Sequence, residues 1–350
     1  MLKRRHFFKT VLCVILVMTV FSAAGCSRIK FTAGLGNGTF AKINGEKVDM
    51  ETAMLLLGEL KYSYENIFDA GVWSEMLGDV TAEEYAKNFI RDTVEHVMLL
   101  NGMADEAGIS LTQDELGRIE EAAALYYSGL SAETIDGGGF DMDTVAEYYT
   151  KLRLAQKVFY SVTDDVDTEV STDEARVISV QYIYISTVEY DEDNNPVSLS
   201  EADKRRSEKK AQTLLEQIEN GVDFVSLAKE NSDDSVYALE LGRGEYLKQF
   251  EDAAFELEMG KVSGVVETDI GYYIIKCIND NMESDYEKRS REIVLSRRME
   301  SFSGQYADAL EGLDAEFNRS FWDETPVEQV KSGSGKLYEV YGEYFSDEDF

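Results

Sequence analysis

The chain has 350 residues, of which 44% are hydrophobic and 29% are charged, which is enough apolar mass for one large or two ordinary domains and unlike a wholly disordered sequence. Its 34 Lys and Arg residues against 68 Asp and Glu residues give a formal net charge of -34. Such a field repels phosphate backbones and anionic lipid headgroups, so we expect no nucleic-acid partner.

The first 25 residues resemble a bacterial lipoprotein signal. MLKRRHFFK is basic, VLCVILVMTVF is an apolar run too short for a comfortable membrane span, and SAAGC is a small-residue cleavage site that ends in Cys26. This pattern predicts cleavage before Cys26, a lipid on its thiol, and an extracytoplasmic protein anchored to the outer face of the bacterial cell membrane. An ordinary secretory signal or an uncleaved anchor is the alternative, and either one also places the rest of the chain outside.

Cysteine and histidine are too scarce for several kinds of site. Cys13 and Cys26 belong to the leader and its cleavage point, so Cys277 is the single free thiol of the body, and neither an intrachain disulfide nor a thiolate metal cage is expected. His96 is the one imidazole after the leader, and we expect a solvated side chain on a helix face. The sequence therefore predicts no metal, no cofactor and no histidine-dependent hydrolysis.

The segment after Cys26 is short, polar and rich in glycine, which predicts a flexible tether to residue 40. AKINGEKVDM then alternates like a strand and is interrupted by Asn44 and Gly45, a dipeptide typical of tight hairpin turns.

Three helical segments follow. TAEEYAKNFIRDTVEHVMLLNGMADEAG begins with the capping-box pair Thr81 and Glu84 and can end at Gly108. LTQDELGRIEEAAALYY repeats this pattern with Thr112 and Glu115, and FDMDTVAEYYTKLRLAQKVFYSV adds the third segment. The sequence therefore predicts a helical N-terminal domain.

The pattern changes at Arg176. RVISVQYIYISTVEY is β-branched and aromatic and predicts a strand, and EADKRRSEKKAQTLLEQIENG predicts an amphipathic helix that ends at Gly221. VDFVSLAKENSDD and QFEDAAFELEMG predict two shorter helices, and KVSGVVET and GYYIIKC predict two strands joined by a TDIG turn. The order β, α, α, α, β, β within about 100 residues is the size of one domain.

The C-terminal part falls into two segments. YEKRSREIVLSRRMESFSGQYADAL predicts a long helix rich in both charges. The segment from Asp314 is acidic and is interrupted by KSGSGK, and no structure is predicted for it.

Two blocks between Val177 and Cys277 resemble the parvulin family of peptidyl-prolyl isomerases. GVDFVSLAKENSDD matches the family pattern G-x-x-F-x-x-L-A-x-x-x-S-x-D, and FEDAAFELEMGKVSGVVETDIGYYIIK matches F-x-x-A-x-F-x-L-x-x-G-x-v-S-x-p-v-x-T-x-x-G-y-H-I-I-k. With the lipid anchor, an A-x-I-N-G-E-x-V start and the further helix, the whole chain resembles foldase lipoproteins of the PrsA type and their SurA relatives.

This resemblance implies an α+β fold, in which a helical chaperone domain contains an inserted parvulin-like domain with a four-stranded antiparallel sheet and surrounding helices. The fourth strand is implied by the family, and the sequence places it near Tyr246 or just before Phe250. The expected parts are a signal peptide at 1–25, a tether at 26–40, an N-terminal helical chaperone domain at 41–175, the parvulin-like domain at 176–280, a C-terminal helix returning to the chaperone domain at 281–313 and an acidic tail at 314–350.

The resemblance also assigns a polar floor to the site. Family members usually carry histidines at two positions that are occupied here by Tyr182 and Tyr273. A shift of one residue would instead place Gln181 at the first position, but it would also exchange the two faces of the strand. The third polar position of the family falls on Asp234, so Tyr182, Asp234 and Tyr273 are the expected catalytic residues.

Three further residues are expected to bind the substrate. Tyr246 and Phe250 match the proline-ring pocket of the family, and Thr268 matches the threonine before the final turn. The familiar G-G-D-L-G loop is missing, and the corresponding chain is shortened to SVYALELGRGE.

The chemistry of this family needs no covalent step and no cofactor, because an X-Pro amide rotates against a barrier of about 20 kcal/mol. A site that grips the proline ring and excludes water can lower this barrier, with phenols that donate to each other or to Asp234. The alternative is that both tyrosines pack as the aromatic core of a relic fold, that Phe250 packs for its helix, and that Asp234 is a turn residue.

The sequence therefore predicts an extracytoplasmic foldase that assists secreted proteins by peptidyl-prolyl isomerisation and by holding unfolded chains. Its expected partners are unfolded or folding secreted polypeptides, and the membrane through the lipid anchor. The second interpretation is a non-catalytic chaperone with a degenerate parvulin domain, and the third is a solute-capturing lipoprotein.

Overall fold

A computed structural model describes residues 29–191, 195–282 and 285–345. The chain forms two compact units, unit 1 from residues up to 165 and from 300 onward, and unit 2 from Val166–Met299. Unit 2 encloses the segment predicted to be parvulin-like. The predicted signal peptide and Cys26 lie outside the described residues. No helix within the described residues is both long and apolar enough to cross a membrane.

The helices and strands of the N-terminal part are β1 (Ile29–Thr32), β2 (Thr39–Ile43), β3 (Glu46–Asp49), α1 (Met50–Glu65), a 3-10 helix (Ala70–Ser74), β4 (Met76–Leu77), β5 (Val80–Thr81), α2 (Ala82–Ala107), α3 (Gln113–Ser128), α4 (Ala132–Gly137) and α5 (Met142–Val162). Those of unit 2 are β6 (Ile178–Ser186), β7 (Val188–Tyr190), β8 (Pro196–Ser198), α6 (Glu201–Glu219), α7 (Phe224–Asn231), β9 (Ala238–Leu241), α8 (Lys248–Glu256), β10 (Val266–Thr268) and β11 (Gly271–Asn279). The chain continues with α9 (Tyr286–Gly312), β12 (Ala315–Asn318), α10 (Ser320–Glu324), a 3-10 helix (Val327–Gln329) and α11 (Leu337–Tyr344).

The sheet of unit 1 joins the two ends of the chain. Its strand order is β1-β12-β2-β3, with β1 parallel to β12 and the other neighbours antiparallel. The predicted turn between β2 and β3 is confirmed, because Asn44 and Gly45 both have positive φ, 50° and 87°, as a two-residue hairpin turn requires. The predicted flexible tether is wrong from Ile29 onward, because β1 is held by backbone hydrogen bonds to a strand that composition alone did not reveal.

Residues 314–345 of the acidic C-terminal segment are folded, contrary to the sequence expectation. Phe317, Phe321 and Leu337 are fully buried, and α11 packs against α3. The composition of this segment is typical of disorder, but the segment also contains apolar residues spaced to face the core. These residues account for its packed structure.

The ends of the long helices are formed by the predicted residues. The Thr81 hydroxyl accepts a hydrogen bond from the Glu84 N–H at the start of α2, and Gly108 ends that helix in the left-handed conformation, with φ 66°. Both halves of the capping box at Thr112 and Glu115 are present at the start of α3. These predictions are confirmed.

The expectation of a solvated His96 is wrong. Its side chain is 3% exposed and lies edge-on to the ring of Tyr306, with 5.6 Å between the ring centroids. Burial lowers the pKa of His96 to about 4, because an imidazolium would lose its hydration. The adjacent charged residue suggested a solvent-facing position, but Glu95 is itself buried.

Unit 2 contains the predicted four-stranded antiparallel sheet, in the order β10-β11-β6-β9. The fourth strand is β9, which pairs Ala238–Leu241 with β6 and so lies before both of the places predicted for it. The shortened segment that replaces the family loop therefore supplies this edge strand, and Leu241 is buried against the sheet.

The two faces of this sheet carry different cores. On one face, Ile183, Tyr272 and Ile274 pack with the apolar residues of α6 and α7. On the other face, Tyr182 and Ile275 pack with the apolar residues of α8. Successive residues of a strand point to opposite faces, so neighbouring tyrosines of β11 belong to different environments.

Candidate active site

Three tyrosines meet on the α8 face of the sheet. In the register of β6 and β11, Tyr273 lies directly opposite Tyr184, and Ile275 lies opposite Tyr182. The rings of Tyr184 and Tyr273 stack with 4.8 Å between centroids, and the ring of Tyr182 lies 6.0 Å from that of Tyr273. Tyr182 and Tyr273, two of the three residues predicted for the polar floor, thus lie on adjacent strands, and with Tyr184 they form an aromatic floor.

Helix α8 places Phe250 over this floor. Its ring meets Tyr182 and Tyr273 edge-on, with 5.8 Å and 5.0 Å between centroids, and the ring of Tyr246 lies 5.8 Å away from Phe250. Phe250 is 3% exposed and Tyr182 is 5% exposed, whereas Tyr246 is 48% exposed and Tyr273 is partly exposed. Solvent therefore reaches this cluster on the side of Tyr246 and Tyr273.

Asp234 is held at the edge of the floor. The Tyr182 hydroxyl donates a hydrogen bond of 2.6 Å to Asp234 Oδ2, and the Val236 N–H donates one of 2.9 Å to Asp234 Oδ1. Asp234 is thus a turn residue, as the relic-fold alternative expects, and also the hydrogen-bond partner of Tyr182, as the active-site hypothesis expects. The structure brings together Tyr182, Asp234, Tyr273, Tyr246 and Phe250, five of the six residues predicted for the site.

The segment that carries Asp234 is bound to β6 as if it were a short strand. The Asp233 N–H donates to the Tyr184 carbonyl at 2.8 Å, and the Tyr184 N–H donates to Ser232 Oγ at 3.1 Å. The Ser186 N–H donates to Asp233 Oδ2 at 2.8 Å. Ser232 and Asp233 therefore fix the position of Asp234 relative to the sheet, which explains why a serine and an aspartate precede it.

The two floor tyrosines are neutral over a wide pH range. Burial raises the pKa of Tyr182 far above its ordinary value, and the hydrogen bond to Asp234 and the charge of that carboxylate raise it further. Burial also raises the pKa of Tyr273, and the neighbouring Tyr184 adds to the shift. Among the described residues the Tyr273 hydroxyl has no hydrogen-bond partner, so it can donate to a ligand.

Tyr184 is a member of the cluster that sequence reasoning missed. Its hydroxyl donates to the Ile270 carbonyl at 2.7 Å and so ties the floor to the turn before β11. A side chain at Gly271 would collide with the Ile185 carbonyl and with the ring of Tyr184, so only glycine fits there. The period of two along β6 places residues 182 and 184 on one face and was a signal for this assignment.

Thr268 occupies a different position from the other predicted residues. It is buried, and its hydroxyl donates to the Gly271 carbonyl at 2.8 Å across the turn between β10 and β11. The turn therefore uses this hydroxyl, and a contact between Thr268 and substrate stays a prediction. In the described part of the chain, no group of three or more His, Cys, Asp or Glu residues is arranged to hold a metal ion.

The family model for the PPIC-type peptidyl-prolyl isomerase domain matches residues 162–281. Unit 2 therefore contains a peptidyl-prolyl isomerase domain of the parvulin class.

The relatives of the chain are foldases named PrsA. The foldase protein PrsA of Geobacillus sp. (strain WCH70) is 36% identical over 94 residues, which are 25% of this chain and 34% of that protein. The foldase protein PrsA of Clostridium botulinum (strain Langeland) is 26% identical over 302 residues, which are 80% of this chain and 85% of that protein. A crystal structure of PrsA from Bacillus cereus is similar with 19% identity and a TM-score of 0.32, covering 79% of this chain and 99% of that one.

Proposed function

We propose that this protein is an extracytoplasmic foldase, which isomerises X-Pro bonds of secreted polypeptides at the aromatic cluster of unit 2 and holds unfolded segments with unit 1. The observation that carries the catalytic part is the 2.6 Å hydrogen bond from Tyr182 to Asp234, placed beside Phe250 and Tyr273. The PrsA relatives support the foldase role, since one of them matches over most of its length.

In this proposal Tyr246 and Phe250 bind the proline ring, because they are the aromatic side chains of the cluster that come from α8 and the segment before it. Binding there would displace water from the amide, and a less polar environment favours the twisted amide over the planar one, which has the larger charge separation. The free hydroxyl of Tyr273 donates a hydrogen bond to the prolyl nitrogen, whose lone pair can accept it in the twisted amide and not in the planar one.

Asp234 acts through its negative charge. A planar amide places partial negative charge on its oxygen, so a carboxylate facing that oxygen disfavours the planar forms relative to the twisted one. The Tyr182 hydroxyl holds the carboxylate in position by a charge-assisted hydrogen bond. Tyr182 is therefore a positioning residue, and Asp234 and Tyr273 are the polar groups proposed to contact the substrate amide.

The second candidate is a non-catalytic chaperone. It is favoured by the low exposure of Phe250 and Tyr182, 3% and 5%, and by the edge-on contacts among the rings, which occupy part of the space a proline ring would need. In that case the cluster is a core, and only the holding function remains.

A protease-free isomerisation assay on a proline tetrapeptide separates the two candidates. We expect acceleration by the wild-type protein and about a tenfold loss in kcat/KM for Tyr273→Phe, equal to about 1.4 kcal/mol of transition-state stabilisation. Tyr272→Phe is the matched control, since it makes the same change on the opposite face of the sheet, and it should leave the rate unchanged. A wild-type protein that suppresses client aggregation but accelerates nothing would establish the non-catalytic candidate.

The membrane anchor has a separate test. Metabolic labelling with an alkyne fatty acid should label the wild-type protein and the Cys277→Ser variant, but not the Cys26→Ser variant. Equal labelling of the Cys26→Ser variant would contradict the proposed lipidation site.

A further inference from the structure

Unit 1 exposes a group of large apolar side chains close together along the chain. Ile67 is 73% exposed, Phe68 57%, Met76 61%, Leu77 43% and Tyr85 47%, and these five residues are called the 67–85 patch below. Nine large hydrophobic side chains are exposed in the described part of unit 1, and five of them lie in this patch. The first 3-10 helix and β4 both contact α2, so the elements that carry these residues lie side by side. Single exposed apolar residues are ordinary, whereas several on adjoining elements favour an interaction surface.

The first half of the patch stands on an ordered aromatic base. The Ile67 and Phe68 N–H groups both donate to the Tyr64 carbonyl at the end of α1, at 3.0 and 2.9 Å. The Phe68 ring lies 6.1 Å from that of Tyr64, which in turn stacks on Trp73 at 5.5 Å. Trp73 is buried, and its indole N–H donates to Glu65 at 2.9 Å.

The second half stands on a short hairpin and on the start of α2. Met76 pairs with Thr81 and Leu77 with Val80, so β4 presents both exposed side chains on paired backbone. Tyr85 follows at the start of α2, the helix that contacts both this hairpin and the first 3-10 helix. The apolar groups are therefore exposed on ordered backbone.

Within the segment that carries the patch, the charged side chains are all acidic. From Tyr62 to Ala86 the sequence contains six acidic residues and no Lys, Arg or His. Glu65 and Glu83 pair with lysines on the neighbouring helical turns. The remaining four are exposed, namely Asp69, Glu75, Asp79 and Glu84.

We propose that the 67–85 patch binds unfolded polypeptide segments in which apolar residues are flanked by Lys or Arg. This inference rests on the proposed holding function and names its binding surface and the chemistry of its ligand. The apolar side chains bury against the apolar part of the ligand, and the acidic rim attracts the cationic flanks and repels acidic segments. The same rim disfavours an anionic lipid surface, and the net charge of -34 disfavours a second copy of this chain.

The test uses two fluorescent peptides with one shared apolar core, flanked by Lys in the first and by Glu in the second. We expect the full-length protein to bind the Lys-flanked peptide at least tenfold more tightly at low salt, and the difference to shrink in 1 M salt. The triple variant Asp69→Asn, Glu75→Gln, Asp79→Asn should also remove the preference. Equal binding of both peptides by the wild-type protein would overturn the proposal.

The apolar part is tested by the double variant Ile67→Ser, Phe68→Ser, which should weaken binding of the Lys-flanked peptide at least tenfold. The matched control is Leu125→Ser, Met142→Ser, whose side chains are 44% and 42% exposed in unit 1 but lie outside the patch, and binding should be unchanged. Equal weakening in both variants would overturn the proposal. So would a change in sedimentation from dimer to monomer in the patch variant, because the surface would then join two copies.

Two readouts keep this inference distinct from the proposed function. Tryptophan fluorescence, to which Trp73 and Trp322 both contribute, verifies that each variant retains the fold of unit 1. Tetrapeptide isomerisation reports on unit 2. The patch assignment fails if the patch variant suppresses client aggregation as well as the wild-type protein does. The holding function itself fails if the wild-type protein suppresses no aggregation.

Discussion

The two units of this protein are built from the chain in different ways. Unit 2 is one continuous stretch, Val166–Met299, and all four strands of its main sheet come from within it. Unit 1 uses both ends, and β12 is inserted between β1 and β2, so that residues 315–318 pair with residues 29–32. Local motifs therefore determine most of unit 2, whereas unit 1 depends on pairings between residues almost 300 positions apart, 315 against 29.

The units also differ in what they bury. The cores of unit 2 are aliphatic and aromatic, and the carboxylate of its site lies at the margin. Among the described residues, unit 2 buries one charged side chain, Glu251, whereas unit 1 buries Glu59, Lys61, Lys87, Glu95, Glu115 and Arg153. Both tryptophans, Trp73 and Trp322, belong to unit 1, and the buried Cys277 belongs to unit 2. Tryptophan fluorescence and thiol labelling therefore follow the two units separately in a chain that begins at Ser27.

The largest effect is expected at Glu59 in unit 1. Its carboxylate is 6% exposed and accepts hydrogen bonds from the Tyr126 hydroxyl at 2.8 Å and from the Ser334 and Leu337 N–H groups at 2.6 and 3.1 Å. Glu59→Ala leaves three donors unpaired, of which Tyr126 and Leu337 are buried and Ser334 is partly buried, and should lower the free energy of unfolding by about 4 kcal/mol.

Urea unfolding followed by tryptophan fluorescence measures this loss, with the exposed Glu120→Ala as the control, expected within about 0.5 kcal/mol of wild type. Labelling of Cys277 should be unchanged. Equal loss in both reporters would show that the two units unfold together and would break the comparison.

The corresponding change in unit 2 is Ile274→Ala, at a residue that is fully buried between the sheet and α6. The cavity should lower the free energy of unfolding by about 3 kcal/mol. Thiol labelling of Cys277 in urea measures it. Ile278→Ala on the same strand is the control, because that side chain is 40% exposed and its truncation should have little effect.

The substitution Glu95→Gln should raise the free energy of unfolding of unit 1 at alkaline pH. Burial raises the pKa of Glu95 to about 7, with the charge of Asp92 adding to the shift, so the folded state holds a proton between pH 4.5 and 7 that the unfolded state has lost. Stability contributed by this protonated carboxyl is present below pH 4.5 and is lost as the pH rises to about 7.

We therefore expect Glu95→Gln to stabilise unit 1 by about 2 kcal/mol at pH 8 and by almost nothing at pH 4. Urea unfolding at both pH values, with tryptophan fluorescence, measures the difference. The same gain at pH 4 as at pH 8 would contradict the buried-carboxylate explanation.

The smallest stability effect is expected for Tyr182→Phe, about 1 kcal/mol in unit 2, since one hydrogen bond at the margin of the core is lost. Thiol labelling of Cys277 in urea measures it.

The isomerisation rate of the wild-type protein should be constant between pH 6 and 9, because raised pKa values keep the phenols of Tyr182 and Tyr273 protonated. A change in kcat/KM near pH 6.5 would indicate an ionisable group other than these phenols.

Much of unit 2 could be predicted because its signals are local. The period of two along β6 and β11 and the turn before Gly271 predict the strands that carry Tyr182 and Tyr273, and the resemblance to the parvulin family assigns these tyrosines and Phe250 to the site. The edge strand β9 was misplaced because it has only four residues, ALEL, and so short an alternation of apolar and polar residues does not distinguish a strand from a loop. Tyr184 was missed because the resemblance assigns site roles only to the two positions where family members usually carry histidine, and residue 184 is not one of them.

Unit 1 was predicted less completely for the opposite reason. Its helices and their caps are encoded locally and were found, but β1 and β12 are four residues each and acquire their structure only by pairing with each other. The burial of His96 likewise depends on Tyr306, which is 210 positions further along the chain. No window of sequence contains both members of such a pair.

The insertion of β12 between β1 and β2 has a consequence for biogenesis. A polypeptide that emerges N-terminus first can complete unit 2 as soon as residue 299 has appeared, while the central strand of the other sheet is still missing. During that interval the strands at the beginning of the chain have unsatisfied edges until Ala315–Asn318 arrives. A chain that stops before Ala315 would therefore lose the structure of its first strands.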